Sequence, residues 1–284
     1  MKRWAARLAV LAAAAVAAIV ATATVAAPAA HAAESAAEPA RVAYAAHAVD
    51  YVALGDSYSS GTGAPPYQDL GCLRSSRSFA PLWASTHEVS SFTFAACGGA
   101  TTSDVLNSQL GALNDDTDLV TITIGGNDIG FAEVMTICTL GGDTACVNAI
   151  DVALALANTI LPARLDATYA AIRAAAPNAQ VIVLGYPRLV SPTGSCGLIN
   201  LSSTKRTALN HGADVLDAVI AERVAAAGPG FVYQSAIAHF DGHGACGPSP
   251  WINRFSLLQI VESYHPNAAG YSSGYLPLVN AVTG

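Results

Sequence analysis

The chain has 284 residues, of which 52% are hydrophobic and 12% are charged, and its formal net charge is −7 at pH 7. This composition supplies enough apolar material for a sizeable packed core. The acidic balance, without a cluster of lysine and arginine beyond the N-terminal segment, argues against nucleic acid and anionic membrane surfaces as partners.

The N-terminus has the pattern of an export signal. Lys2, Arg3 and Arg7 accompany an uncharged run at 8–27, and Ala30-His31-Ala32 forms a small-x-small cleavage site. The run is almost long enough to span a bilayer, but its alanine richness and the cleavage site favour removal over a stable membrane anchor. We therefore predict a secreted, extracellular protein with a signal peptide at 1–32, a disordered leader at 33–48 and one domain at 49–284.

The rest of the chain alternates short apolar runs with helical patterns. The predicted strands lie at 52–54, 91–96, 118–124, 180–185 and 231–235. The predicted helices lie at 78–86, 131–139, 146–176 with a kink at Pro162, 202–227 and 267–282. The segment 97–104 is a glycine turn followed by N-cap residues that open another helix. Because most strands are continuous apolar runs, they favour a parallel sheet that is covered on both faces. Right-handed crossovers then give a three-layer α/β/α domain.

The cysteines all lie in the part predicted to be exported. They are Cys72, Cys97, Cys138, Cys146, Cys196 and Cys246. An even number without a Cys-x-x-Cys pair indicates disulfides rather than a metal site. Six cysteines allow 15 connectivities, and pairing in sequence order is the simplest because no bridge crosses another. We therefore predict Cys72–Cys97, Cys138–Cys146 and Cys196–Cys246.

Three predicted strands end in turns of glycine and polar residues. Ser57, Gly99 and Asn127 lie in these turns, and the carboxyl ends of parallel strands share one edge of the sheet. The backbone N–H groups of Ser57 and Gly99 and the side-chain amide of Asn127 would form a three-donor site for the negative oxygen of a tetrahedral intermediate. The Ser57 hydroxyl needs a histidine base to act as a nucleophile. His265 is the candidate base, because it lies in a loop just before the last helix and such a loop can return to this edge.

The segments Gly55-Asp56-Ser57, Gly98-Gly99-Ala100-Thr101 and Gly125-Gly126-Asn127-Asp128, followed by His265, resemble the four blocks of the SGNH (GDSL-type) hydrolases. Each block is weak alone, but four in the family's order are specific. The resemblance spans essentially the whole chain after the leader. The secreted bacterial lipase and esterase branch, with its longer block over 55–61 and six cysteines, is especially similar.

The resemblance implies a flavodoxin-like fold and hydrolysis of carboxylic esters, of lipid or short-chain type, through an acyl-enzyme. It implies that Ser57 is the nucleophile and His265 the general base and then acid. It also implies that Ser57, Gly99 and Asn127 form the oxyanion hole and that the reaction uses no metal or organic cofactor. We expect a monomer with a small-molecule or lipid ester as its partner.

Two positions depart from the family pattern. Tyr58 replaces the leucine of the simplest motif, as in many secreted members. Glu262 stands where the family has aspartate, three residues before His265. Similar secreted members use a main-chain carbonyl instead, which corresponds here to Ser263. We predict a Ser57–His265 dyad oriented by that carbonyl, and Glu262 as the third member of a triad stays open.

Several other segments carry weaker signals. His239, Asp241 and His243 alternate like metal ligands but have no further ligand close in sequence, and 114–118 resembles a calcium loop without its full spacing. We therefore predict no metal site. The segments 250–252 and 255–258 belong either to an acyl pocket or to the core. As functions, a polysaccharide deacetylase or acyltransferase on the same fold and a non-catalytic secreted binding module remain alternatives to the ester hydrolase.

Overall fold

The computed structural model describes residues 48–197, 199 and 201–284. The predicted signal peptide and all but the last residue of the predicted leader lie outside these residues. Within the described chain, no single helix has both the length and the apolarity to cross a membrane, and the bent helix pair at 143–159 and 161–175 reaches them only when its two members are combined.

Five parallel strands form the central sheet. The strands of the described chain are β1 (Val49–Gly55), β2 (Tyr67–Asp69), β3 (Arg74–Ser75), β4 (Val89–Phe94), β5 (Leu119–Thr123), β6 (Gln180–Leu184) and β7 (Phe231–Gln234). The sheet order is β4-β1-β5-β6-β7, and β2 and β3 form a separate antiparallel hairpin that the sequence pattern did not reveal. The predicted parallel sheet is confirmed.

The sequence of each strand matches its place in the sheet. The strands β1, β5 and β6 are almost wholly buried, which explains their continuous apolar runs. The strand β4 lies at an edge and is only partly buried, so it tolerates alternating polar residues. It begins at Val89, two residues before the predicted start, because Val89 pairs with Val49.

Helices cover the sheet. The α-helices are α1 (Ser57–Ser60), α2 (Phe79–Ala84), α3 (Thr102–Asp104), α4 (Phe131–Leu140), α5 (Asp143–Thr159), α6 (Leu161–Ala175), α7 (Ser203–Ala227) and α8 (Leu276–Thr283). Short 3₁₀ segments lie at Leu110–Ala112, Asn127–Ile129 and Ile260–Glu262, and π-helical turns lie at Val105–Gln109 and Gly270–Tyr275.

The strand register shows that the helices lie on two opposite faces. Tyr51 of β1 packs against Trp83 of α2, whose indole N–H donates to Thr283 of α8. Phe231 of β7 packs against Tyr169 of α6, and Tyr233 two residues later donates to Asp217 of α7. Across the paired strands, Tyr51 is aligned with Gln180 of β6 through Leu119 of β5. Phe231 is aligned with the next residue of β6, Val181. Because successive side chains of a strand point to opposite faces, the domain has the predicted three layers.

Two predicted helices are divided in the structure. The predicted helix at 146–176 is two helices, α5 and α6, bent by 49°. Pro162 lies in the first turn of α6. A backbone N–H in that turn has no intrahelical acceptor, so proline loses no hydrogen bond there. The predicted helix at 267–282 is a π-helical turn followed by α8. A Cβ at Gly274 in that turn would lie 2.4 Å from the Phe240 ring, so the close packing requires glycine.

The structure contains three disulfides, Cys72–Cys97, Cys138–Cys146 and Cys196–Cys246, which is the pairing in sequence order. The first joins the turn between β2 and β3 to the loop after β4, and the Cys72 carbonyl accepts from the Gly98 N–H at 2.8 Å. This bridge therefore restrains the loop that carries Gly99.

Candidate active site

Ser57 begins helix α1 directly after β1. The turn before it requires glycine, because Gly55 has φ +117° and a Cβ there would lie 2.4 Å from the Thr123 carbonyl oxygen. Asp56 is the N-cap of α1 and accepts from the Tyr58 N–H at 2.9 Å. The side chain of Ser57 is therefore held at the carboxyl edge of the sheet, next to the first turn of a helix.

The Asp56 carboxylate is buried and fully engaged. Besides the Tyr58 N–H, it accepts from the hydroxyls of Thr123, at 2.7 Å, and of Tyr186. Burial raises the pKa of Asp56 to about 6, and its three hydrogen bonds oppose this rise. The carboxylate joins α1 to β5 and to the segment after β6, so it holds the Ser57 turn in place.

His265 lies against Ser57. Its Nε2 is 2.8 Å from the Ser57 Oγ, and its Nδ1 is 3.1 Å from the Ser263 carbonyl oxygen. Since a carbonyl only accepts, Nδ1 carries the proton and Nε2 presents its lone pair to the Ser57 hydroxyl. The Tyr58 hydroxyl donates to the Tyr264 carbonyl at 2.7 Å and holds the backbone beside the histidine.

The surroundings of His265 keep its ring neutral. The rings of Tyr58 and Phe131 lie with centroids 5.3 and 6.4 Å from it. Burial lowers the pKa of His265 to about 4, although hydrogen bonding to the Ser263 and Val261 carbonyls acts in the opposite direction. At neutral pH the ring is therefore an available proton acceptor.

The Glu262 carboxylate is bound elsewhere. The Tyr67 hydroxyl donates to Glu262 Oε1 at 3.0 Å and accepts from the Gly63 N–H at 3.0 Å. The structure thus places the Ser263 carbonyl, and not the Glu262 carboxylate, at Nδ1 of His265. Sequence reasoning missed Tyr67, which gives no local signal because it lies 195 positions from Glu262.

The three expected oxyanion donors line one groove together with His265. Within the described residues, neither the Ser57 N–H nor the Gly99 N–H donates a hydrogen bond. Asn127 uses one amide hydrogen on the Ala100 carbonyl, at 2.9 Å, which leaves its second for a ligand. Gly99 has φ +82°, but a Cβ there would meet nothing within 4 Å. Its glycine is therefore favoured by the backbone conformation and not by close packing against other protein atoms.

Asp128 joins the two loops that carry Gly99 and Asn127. Its carboxylate, which is only 1% exposed, accepts from the backbone N–H and hydroxyl of Thr102 at the start of α3. Arg164 of α6 approaches the same carboxylate at 3.1 Å. The motif at 125–128 contained Asp128, but only the structure shows what it binds.

The groove above Ser57 has a volume of about 410 Å³ and mostly apolar walls. Those walls include Phe131, Met135, Leu140, Phe255, Ile260 and Val261. A narrower apolar cavity of about 70 Å³ also reaches Ser57 and continues between α5 and α7. Of the two segments left open by the sequence, 255–258 contributes Phe255 to the groove and 250–252 contributes buried Ile252 to the core.

The two segments with a weak metal-binding pattern, 239–243 and 114–118, do not form a metal site in the structure. In the described part of the chain, no three His, Cys, Asp or Glu side chains lie close enough together to hold a metal ion. His243 Nδ1 instead donates to the Ser249 carbonyl at 2.8 Å, and its ring stacks on Trp251 with centroids 3.7 Å apart.

Comparison with known proteins identifies relatives along most of the chain. The model of the GDSL-like Lipase/Acylhydrolase family matches residues 53–272. Lipase 1 of Streptomyces coelicolor is 50% identical over 232 residues, which cover 81% of this chain and 85% of that protein. The lipase of Streptomyces rimosus is 50% identical over 238 residues, which cover 83% and 87%.

Solved structures agree with these matches. The crystal structure of the extracellular lipase from Streptomyces rimosus has a TM-score of 0.79 and 49% identity, and covers 83% of this chain and 100% of that one. The phospholipase A1 from Streptomyces albidoflavus has a TM-score of 0.80 and 46% identity, and covers 84% and 100%. The family expected from the four sequence blocks is confirmed. Because the family model matches residues 53–272, which include Ser57, Gly99, Asn127 and His265, and these relatives are 50% identical over most of the chain, the chain belongs to the GDSL-like lipase/acylhydrolase family and is a carboxylic ester hydrolase.

Proposed function

We propose that this enzyme is a secreted, monomeric lipase that cleaves lipid esters through an acyl-enzyme on Ser57. The observation that carries the proposal is the 2.8 Å contact between Ser57 Oγ and His265 Nε2, with Nδ1 committed to the Ser263 carbonyl. The mostly apolar groove supports an acyl chain better than a glycan as the bound group. The matched lipases and phospholipase A1 point to the same substrate class.

In the first half of the reaction, Ser57 Oγ attacks the ester carbonyl carbon while its proton moves to His265 Nε2. The carbonyl oxygen becomes negative in the tetrahedral intermediate and accepts from the Ser57 and Gly99 N–H groups and the Asn127 amide. When the intermediate collapses, the bond to the alcohol breaks and His265 returns the proton to the leaving oxygen. The acyl group is then attached to Ser57.

In the second half, water attacks the acyl carbon and gives its proton to His265. The second tetrahedral intermediate uses the same donors, and its collapse releases the carboxylic acid as Ser57 recovers its proton. The Ser263 carbonyl is neutral, so it supports the transient imidazolium by a hydrogen bond without a full opposite charge. The chemistry is thus carried by a dyad.

The test of this function is hydrolysis by the purified protein of a p-nitrophenyl ester series from acetate to palmitate, with phosphatidylcholine and acetylated xylan alongside. We expect turnover of the esters and of the phospholipid, and a preference for acyl chains longer than acetate. Absence of ester hydrolysis would favour a binding module, and faster release of acetate from xylan would favour the deacetylase. Mass spectrometry of the extracellular protein should show a chain that starts after residue 32.

The lowered pKa of His265 predicts an enzyme that stays active in acid. Since the base must be neutral and the pKa of His265 is about 4, kcat/KM should decline only as the pH falls through that value, by about tenfold per pH unit below it. Initial rates on a soluble ester, with circular dichroism at each pH to confirm folding, measure this. Asp56 also titrates in this range, with a pKa of about 6. In Asp56→Asn, which keeps a capping side chain but does not titrate, an acid limb that stays near pH 4 belongs to His265 even if the overall rate is lower. A midpoint near the ordinary histidine pKa, about 6.5, would contradict the prediction.

The position of Glu262 predicts a small effect of Glu262→Gln. The change removes the charge but preserves shape, and the carboxylate faces Tyr67 rather than His265. We expect kcat to fall by less than about tenfold, whereas loss of the acid from a working triad costs about 10⁴-fold. Tyr67→Phe, which breaks the same hydrogen bond from the other side, should have a similarly small effect. A loss of thousands-fold in folded Glu262→Gln would make Glu262 the third catalytic member.

A further inference from the structure

The rim of the groove exposes an unusual set of large apolar side chains. Leu258 is 96% exposed, Leu257 77%, Leu140 67%, Ile260 61% and Val261 54%. We call these five residues the apolar rim. Of the large apolar side chains that are exposed in the described chain, most belong to this one region, and a concentrated apolar patch marks an interaction site where scattered residues would not.

The apolar rim is continuous with the groove. Leu140, Ile260 and Val261 line the same groove as Ser57 and His265 while also facing outward. Leu257 and Leu258 extend this surface away from the groove, and unlike their neighbour Phe255 they do not pack against the core. An apolar path therefore runs from the outside of the molecule to the reactive serine.

The loop that carries most of the apolar rim is held by polar contacts at its base. The Ser256 N–H donates to Ser263 Oγ at 3.0 Å, and the Asn253 N–H donates to the His265 carbonyl at 2.8 Å. The Tyr264 N–H donates back to Asn253 at 3.1 Å. The leucines are thus presented outward on a closed loop, next to the backbone that orients His265.

The charges around the apolar rim indicate which kind of lipid surface it can bind. Residues 255–261 include no charged side chain, and the flanking Arg254 and Glu262 carry opposite charges. The chain after residue 32 has twice as many acidic as basic residues, so an anionic surface would repel it. An uncharged or zwitterionic lipid surface accepts exposed leucines without this penalty.

We propose that the apolar rim docks the enzyme on the surface of zwitterionic phospholipid aggregates, with Leu257 and Leu258 inserted among the lipids and the groove open toward them. A lipid ester then passes from the aggregate into the groove along an apolar path. The proposal rests on the proposed function, because it assumes that the substrate is a lipid ester. It adds that the enzyme takes this substrate from a lipid aggregate and not from solution.

The test compares two double variants in the Ser57→Ala background, in which lipid is bound without being consumed. Leu257→Ser with Leu258→Ser removes the outer part of the apolar rim. Val152→Ser with Ile160→Ser is the matched control, because these side chains are 63% and 42% exposed and do not line the groove. Co-flotation with phosphatidylcholine vesicles should weaken about tenfold or more for the rim variant and stay within about twofold for the control.

A second measurement uses the same substitutions with Ser57 intact. The ratio of activity on phosphatidylcholine vesicles to activity on dissolved p-nitrophenyl acetate should fall about tenfold or more for the rim variant only. Equal flotation of both variants, or no flotation of the parent, overturns the proposal. A dimer of the parent that the rim substitutions dissociate would also overturn it, by assigning the patch to a second copy. Vesicle binding by a protein that hydrolyses no ester would instead refute the proposed function alone.

Discussion

Ser57→Ala is expected to lower kcat by about 10⁶-fold, the scale on which loss of the nucleophile acts in serine hydrolases. The two other serines of α1 are already hydrogen-bonded. Ser59 Oγ is bonded to Thr123, and Ser60 Oγ contacts the Ser57 carbonyl and Thr62. The oxyanion donors remain, so a residual rate of about 10³- to 10⁴-fold over water is expected.

A serine-directed fluorophosphonate and ester turnover together measure this effect. The parent should be labelled at Ser57, and the Ser57→Ala variant should not be labelled. Ser60→Ala is the matched control, since it changes a serine of the same short helix and should keep both labelling and turnover. Labelling at another serine, or substantial turnover by folded Ser57→Ala, would show that the nucleophile lies elsewhere.

Asn127→Ala is expected to reduce kcat by about 10²- to 10³-fold, equivalent to about 3–4 kcal/mol of transition-state stabilisation. The amide has one hydrogen on the Ala100 carbonyl and one available to the negative oxygen. Because the charge on that oxygen develops only in the transition state, KM should change little. Steady-state kinetics on a soluble ester separate the two parameters.

The control for Asn127→Ala must separate a lost donor from a displaced loop. Thr102→Val serves, since it removes a hydroxyl contact to Asp128 on the same pair of loops but leaves all three donors. We expect its kcat to fall by less than about tenfold, in the range of a single structural hydrogen bond. If both variants lose activity equally, Asn127 acts by positioning the loop and not as a donor to the substrate.

The parts of the site that follow strands were predictable because they depend on local patterns. Ser57, Gly99 and Asn127 each lie in a turn that follows a strand, and parallel strands bring such turns to one edge. His265 was found from a motif and its place before the last helix. The helix boundaries were less accurate: the bend near Pro162 was predicted from the sequence, whereas the π-helical turn at Gly270–Tyr275 packs against Phe240 at Gly274, which is a tertiary contact.

The sequence by itself determined that the chain forms a parallel α/β sheet and that a serine, a glycine and an asparagine stand at its carboxyl edge, because strand periodicity and turn residues are local properties. Only the tertiary structure decided that the Ser263 carbonyl orients His265 while Glu262 binds Tyr67. Likewise, it decided that Phe255 turns into the groove while Leu257 and Leu258 face outward. Glutamate and a backbone carbonyl are both able to accept from a histidine, and apolar residues suit a core as well as a surface. Which acceptor reaches the histidine, and which apolar side chain reaches the groove, depends on how the loops run. The contacts that fix those loops join residues far apart in sequence.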